Sequence, residues 1–210
     1  LAILCAHLNL SARFLKLGRY QPMSSAVLLI ATDVYGETHA SAALCRYLGL
    51  STKIISPYSE ACSFRNEKEA YTRFLAEGGI AHYAKKIAEA LEQTEVQHFL
   101  GFGVGGSAWW MKAAQHSAHL DSANLFYPSR VRDHLDLQSA CPTRFIFAEH
   151  EQAYTSQTVV EELRQRGYQA EVAKGTQHGF MNAYAAGFSL KRQTEYLDQL
   201  LQAFHLQKAA

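Results

Sequence analysis

From Ser25 onward, short apolar runs of strand length take turns with longer runs of helical periodicity, and this alternation restricts the fold more than any other feature of the chain. "AVLLIAT", "TKIISPY", "QHFLGF", "ANLFY", "TRFIFAE" and "QAEVAKG" read as strands. "HASAALCRYLGL", "NEKEAYTRFLAEGGIAHYAKKIAEALEQ", "GGSAWWMKAAQHSA", "TSQTVVEELRQRG" and "SLKRQTEYLDQLLQAFHL" read as helices, the second interrupted at Gly78 and Gly79. Such an order predicts an α/β architecture, a mostly parallel sheet covered by helices on both faces. Ligands of such sheets gather beyond the carboxyl ends of the strands. The residues there are Asp33 and Tyr35, Tyr58 and Ser59, Gly103 and Val104, Tyr127 and Arg130, Glu149 and Glu151, and finally His178.

A chain of 210 residues supports one substantial core. No linker, repeat or low-complexity tract divides it, so a single domain over 23–210 is expected. The segment 1–22 lies outside the alternation and reads as a leader or short amphipathic helix, with Met23 as a candidate start. Its basic residues follow the apolar run, unlike those of a secretory signal, and His7, Asn9 and Ser11 interrupt it well short of a membrane span. A formal net charge of +1 gives no electrostatic case for nucleic acid or an anionic membrane, which leaves small molecules as the expected ligands. Cys5, Cys45, Cys62 and Cys141 form no C-x-x-C pair and no zinc pattern. They read as buried free thiols of a cytoplasmic protein with no metal, either a monomer or a homodimer.

The stretch "GFGVGG" admits two readings. Gly101, Gly103 and Gly106 spell G-x-G-x-x-G between a strand and a helix, the setting of a dinucleotide loop. The ribose-binding acid should then follow the next strand, yet Asp121 precedes "ANLFY" and Tyr127 follows it. Alternatively, Gly101 to Gly105 form a strand-to-helix elbow, G-x-Nuc-x-G, with Gly103 where the nucleophile belongs. An acid and a histidine then follow later strands, in the chain order of α/β-hydrolases.

With these motifs in place, the sequence resembles the dienelactone hydrolase family of α/β-hydrolases from Met23 onward. The matching pieces are "DVYGETH" (Asp33 to His39), "GFGVGG", "YPSRVR" (Tyr127 to Arg132), "CPTRFIFAEHE" (Cys141 to Glu151) and "TQHGFMN" (Thr176 to Asn182). The resemblance implies an α/β-hydrolase fold lacking the usual opening strands, and no cofactor. It makes His178 the general base and Glu151 its orienting acid, with Glu149 the alternative. It places the oxyanion hole at the N–H groups of Val104 and of Val34 or Tyr35, and Asp33 beside the nucleophile position. The implied substrate is a small carboxylic ester or lactone. Gly103 departs from the family pattern, since it has no side chain with which to attack.

Other readings of the same residues stay open here. Asp33 would equally serve as a helix cap, and Tyr58 and Ser59 as turn residues after Pro57. Trp109 and Trp110 suit core packing. Arg130 and Arg132 would either meet a substrate carboxylate or pair at the surface. Ser107 lies a helical turn beyond Gly103 and makes a poor substitute nucleophile. The chain is thus a hydrolase without its elbow nucleophile, a silent relative that binds a small molecule or a partner, or a hydrolase in which His178 and Glu151 activate water; a dinucleotide-binding protein is the minor alternative. Calorimetric titration with nicotinamide and flavin nucleotides is expected to give no binding heat, and micromolar binding would contradict the elbow reading.

Overall fold

The structure is a computed structural model and describes residues 27–206. The segment 1–22, Met23 and Cys5 lie outside the described residues. Six strands, β1 (Val27–Ala31), β2 (Ser51–Ile55), β3 (His98–Phe102), β4 (Ser122–Phe126), β5 (Thr143–His150) and β6 (Gln169–Gln177), form one sheet in the order β2-β1-β3-β4-β5-β6. Every pairing is parallel. The helices are α1 (His39–Leu48), α2 (Glu67–Ala76), α3 (Gly79–Glu92), α4 (Val104–His116), α5 (Ser156–Gln165) and α6 (Leu190–Leu206).

The alternation of side chains along each strand builds two cores, one per face. Leu29, Phe99, Leu125, Phe145 and Phe147 face one way, where Phe74 of α2, Tyr83 of α3, Trp109 and Trp110 of α4 and Val160 of α5 cover them. Leu28, Ile30, Leu100, Phe126 and Ile146 face the other, under Leu44 and Leu48 of α1 and Leu197, Leu200 and Phe204 of α6. Coverage on both faces is why β3 and β4 are near-continuous apolar runs, whereas the edge strand β2 is only partly buried. Both tryptophans belong to this core. Trp109 stacks on Phe99 at 4.9 Å, and the Trp110 Nε1–H donates to the His134 carbonyl.

Local signals set the helix ends. Thr38 caps α1 in a reciprocal box with Ser41, so the cap expected of Asp33 is supplied five residues later. Gly78 and Gly79, at φ +90° and +60°, break the long helical run into α2 and α3. A 3₁₀ turn over Ser129–Asp133 follows β4, in a segment to which the sequence reading assigned no regular structure. Of the three cysteines among the described residues, all expected to be buried, Cys141 is buried while Cys45 and Cys62 are half-buried, and all three are free thiols.

At the start of α4, glycine packs directly against backbone. A Cβ on Gly105 would lie 2.5 Å from the carbonyl oxygens of Ala31 and Thr32, and one on Gly101 would lie 2.5 Å from the Gly106 Cα. The N-terminus of α4 therefore rests directly on the ends of β1 and β3. Gly105→Ala is expected to cost at least about 1–3 kcal/mol in a urea unfolding curve, since neither carbonyl can withdraw. Gly167→Ala, with open space around it and a φ of +88°, should cost only about 1 kcal/mol from backbone strain. Equal losses at the two positions would refute the steric account.

Candidate active site

β1 and β3 are neighbours although β2 lies between them in sequence, so the strand order reverses direction there and leaves a crevice beyond their carboxyl ends. The β1 end delivers Asp33 and the sharp β3–α4 turn delivers Gly103. Gly103 sits at φ +50°, its N–H donates to the Phe126 carbonyl at 2.9 Å, and its carbonyl accepts from the N–H and the Oγ of Ser107, each at 3.0 Å. The Ser107 Oγ also accepts from the Arg130 N–H. Ser107 thus fastens the turn and is buried with it. Sterically, Gly103 differs from its neighbours. A Cβ there would meet Asp33 Cβ at 3.2 Å and the Tyr127 ring at 3.6 Å, close but not the collision with backbone found at Gly101 and Gly105.

Asp33 is buried, yet its carboxylate is well supplied with donors. The Asn182 amide donates to both oxygens at 3.0 and 2.8 Å, and the Tyr35 N–H donates to Oδ1 at 3.0 Å. Burial is the largest influence on its acidity and raises it above the ordinary 3.8, against the opposing pull of the Asn182 and Tyr35 hydrogen bonds and the nearby His178. The Tyr35 N–H is already engaged, which leaves Val34 as the β1-end partner for Val104; neither of those two N–H groups has an acceptor among the described residues. Asn182 was quoted within "TQHGFMN" but given no role, because a lone Asn four residues after a histidine carries no signal until its partner 149 residues away is known.

At the far end of the sheet, His178 Nδ1 lies 2.9 Å from both oxygens of Glu151. A carboxylate only accepts, so Nδ1 carries a proton, and in the neutral ring Nε2 keeps its lone pair. Burial alone would lower the His178 pKa, but the Glu151 hydrogen bond and charge, with the charges of Glu67 and Asp33, together outweigh it and leave it above the ordinary 6.5. An irregularity in the sheet makes this pairing possible. Ala148 pairs with Ala173 and His150 with Gln177, so Glu149 alone faces Lys174, Gly175 and Thr176. Glu149 fastens that bulge, accepting from the Gly175 N–H at 2.7 Å and from Lys174 Nζ at 3.0 Å. The alternative acid is therefore turned away from His178.

One cleft of about 830 Å³ holds Asp33, Val34, Tyr35, Gly103, Val104, Glu151 and His178. Tyr127 is not on its lining. Its buried ring lies behind, 4.9 Å from the His178 ring, in a backbone of φ +41° that is unusual for a residue with a side chain. Among the described residues its hydroxyl has no hydrogen-bond partner, and burial, followed by the charge of Asp33, holds its pKa well above 10.0. Arg130 and Arg132 reach the cleft wall, but both turn to Asp133; Arg130 also donates to the Tyr71 hydroxyl, and the Arg132 guanidinium lies 4.9 Å from the centre of the Tyr154 ring. Tyr58 lies in the bend after Pro57, as the turn reading expects, and is not on the cleft lining. It is buried, and its hydroxyl donates to the carbonyls of Val34 and Ala70. Among the described residues, no group of three or more His, Cys, Asp and Glu side chains is arranged to hold a metal, and no helix is long and apolar enough to cross a membrane.

A family model described as the dienelactone hydrolase family matches residues 25–207. Solved structures share the fold at low identity. A candidate dienelactone hydrolase from Klebsiella pneumoniae is 16% identical, with a TM-score of 0.65 and 88% of each chain covered. A candidate hydrolase of the α/β superfamily from Xanthomonas campestris is 15% identical, with a TM-score of 0.59, 86% of this chain and 99% of that one covered. A thermophilic esterase from Thermogutta terrifontis, solved with propionate bound, is 12% identical, with a TM-score of 0.51 and 89% and 86% coverage. No curated protein matches the sequence.

The His178 shift has a consequence for stability. Because its folded pKa is raised, the pairing with Glu151 stabilises fully below the unfolded value near 6.5 and fades as pH rises through the folded value. In Glu151→Gln the desolvation of the buried ring is opposed only by the charges of Glu67 and Asp33, and that trend should weaken or reverse. Unfolding free energies measured in steps from pH 6 to 9 check this; parallel curves for the two proteins would mean that the pair is not formed in solution.

Proposed function

Because the chain belongs to the dienelactone hydrolase family, as its match over residues 25–207 shows, we propose that it hydrolyses a small carboxylic ester or lactone, with water taking the part of the side chain that residue 103 lacks. The observation that carries this reading is the His178–Glu151 pair, fully formed at 2.9 Å in the same cleft as Gly103. The β3–α4 turn then acts as a nucleophile elbow. The steric need for glycine at 101 and 105, the flanking positions of G-x-Nuc-x-G, supports the elbow over a dinucleotide loop.

In this mechanism the ester carbonyl lies over Gly103 with its oxygen toward the N–H groups of Val34 and Val104. His178 Nε2 takes a proton from a water molecule as the water oxygen bonds to the acyl carbon. The charge that develops on the carbonyl oxygen is met by the two N–H donors and by the positive end of α4. Collapse of the tetrahedral intermediate breaks the bond to the alkoxide, which recovers the proton from His178, and acid and alcohol leave. Glu151 holds the ring in the tautomer that exposes Nε2 and stabilises the imidazolium. Asp33 shapes the floor beneath the acyl carbon. The free thiols of Cys45, Cys62 and Cys141 support a reducing, cytoplasmic setting.

Two measurements on p-nitrophenyl acetate test the reading. The protein as it stands should resist a fluorophosphonate probe, yet release p-nitrophenolate slowly, at a rate that rises with pH through the raised His178 pKa and falls by about 10²–10⁴ in His178→Ala. Gly103→Ser should gain probe labelling, although a misplacement of about 1 Å would hold its turnover down about a hundredfold. Labelling of the unsubstituted protein would reveal a nucleophile elsewhere. An unchanged rate in His178→Ala would leave a binding protein.

A further inference from the structure

Three polar residues open α2, and two of them are occupied locally. Asn66 accepts from the Glu69 N–H, and the Glu69 carboxylate accepts from the N–H and the Nε–H of Arg65. Glu67 is different: among the described residues its carboxylate has no hydrogen bond and no ion pair, and it stands on the wall of the cleft that holds His178. The arginines of that wall, Arg130 and Arg132, are opposed by Asp133. Lys68 also reaches the lining, with no ion pair among the described residues. Glu67 and Lys68 differ in what they act on. Burial, then the charge of Glu67 and then that of Asp33, pushes the Tyr35 hydroxyl up to about 12. Glu67 is also among the charges felt at His178 and Asp33, whereas Lys68 is among those at none of the three. Tyr35 lines the same cleft, its N–H bonded to Asp33 and its ring 6.4 Å from that of Tyr184. An aromatic ring within reach of two carboxylates, neither of them in an ion pair among the described residues, is the setting that attracts an ammonium group.

We infer that the cleft wall formed by Glu67 and Tyr35 is a subsite for a positively charged group, and that the ester this protein hydrolyses carries an ammonium on its alcohol part. The inference rests on the hydrolase reading above. The alcohol part is the one in reach, because His178 must protonate the departing alkoxide and Glu67 acts on His178. Glu67 and Tyr35 are then specificity-determining residues and take no part in the chemistry. The charge of an ammonium is the same before and during attack at the acyl carbon, so the wall strengthens binding without lowering the barrier of the bound ester, and its effect appears in KM rather than in kcat. At about 830 Å³ the cleft has room for an aryl ester.

The test compares three aryl acetates: the meta-trimethylammonio ester, its neutral isostere the meta-tert-butyl ester, and the meta-carboxylate. Each rate is divided by the rate of the same ester in buffer, which removes differences in intrinsic reactivity. At low ionic strength the corrected kcat/KM should be about three- to twentyfold higher for the cationic ester than for the neutral one, the range that an exposed ion pair and a cation–π contact together allow. The difference should lie in KM, shrink on addition of salt, and leave the carboxylate ester the poorest of the three. Glu67→Gln should lower the cation-to-neutral ratio by about two- to fivefold. Both esters use the same base, so any effect of Glu67 on His178 cancels in that ratio. Tyr35→Leu should lower it as well, whereas Tyr35→Phe, which keeps the ring, should hold it. A ratio at or below unity, a ratio that Glu67→Gln leaves unchanged, or a preference for the carboxylate ester that Lys68→Gln removes would overturn the cationic subsite; with hydrolysis of the neutral ester lost in His178→Ala, the hydrolase would still stand. Absence of any hydrolysis dependent on His178, for all three esters, would overturn both.

Discussion

Everything at the site depends on one close approach, that of the first turn of α4 to the ends of β1 and β3. Gly105 lies against the carbonyls of Ala31 and Thr32 with no room for a methyl group, and Gly101 lies against Gly106 in the same way. Such contact brings the N-terminus of a 13-residue helix to the point where the strand order reverses. It also dictates the left-handed backbone at Gly103, since the chain must turn from strand to helix within one residue. The helix end, the β1 end and the turn are thus one rigid unit, and the N–H groups of Val34 and Val104 take their place from it.

Around this unit two carboxylates are handled in opposite ways. Glu151 meets an imidazole and shares the proton of Nδ1, so its charge acts on a base that can use it. Asp33 meets the amide of Asn182 and the N–H of Tyr35, which can neither give up nor take a proton at ordinary pH. Burial still raises its pKa, which means these neutral donors offset only part of the desolvation. The unpartnered hydroxyl of Tyr127 adds to the polarity stored beneath the cleft, and its φ of +41° marks a residue held in place by its surroundings rather than by its own preference.

The sheet and the turn were legible because local chemistry determines them. Six apolar runs of strand length became six strands, and "GFGVGG" sits between strand and helix as its glycines require. Contacts across the sheet were not legible. That Asn182 serves Asp33 depends on where β1 and the chain after β6 meet in space, and no periodicity encodes it. The same limit explains Asp33 itself, whose Asp-x-x-Gly-x-Thr context suits a cap but whose carboxyl turns inward while Thr38 does the capping. The choice between Glu149 and Glu151 was open because a strand places residues two apart on the same face; the bulge separates them, and a bulge in the neighbouring strand leaves little trace in "AEHE".

That bulge alters what kind of object the histidine's address is. In a strict ladder each residue of β6 would be locked to one of β5, and the location of His178 would be a matter of counting along the strand. Here three residues of β6 span the length that one residue of β5 occupies, and Glu149, Lys174 and Thr176 clamp the surplus in place. The surplus works like a vernier on a coarse scale: the sheet advances in fixed steps of about 3.3 Å, while the bulge supplies a fraction of a step and brings an imidazole nitrogen to hydrogen-bonding distance of a carboxylate. Fine adjustment of the base is thereby uncoupled from the sheet that carries it.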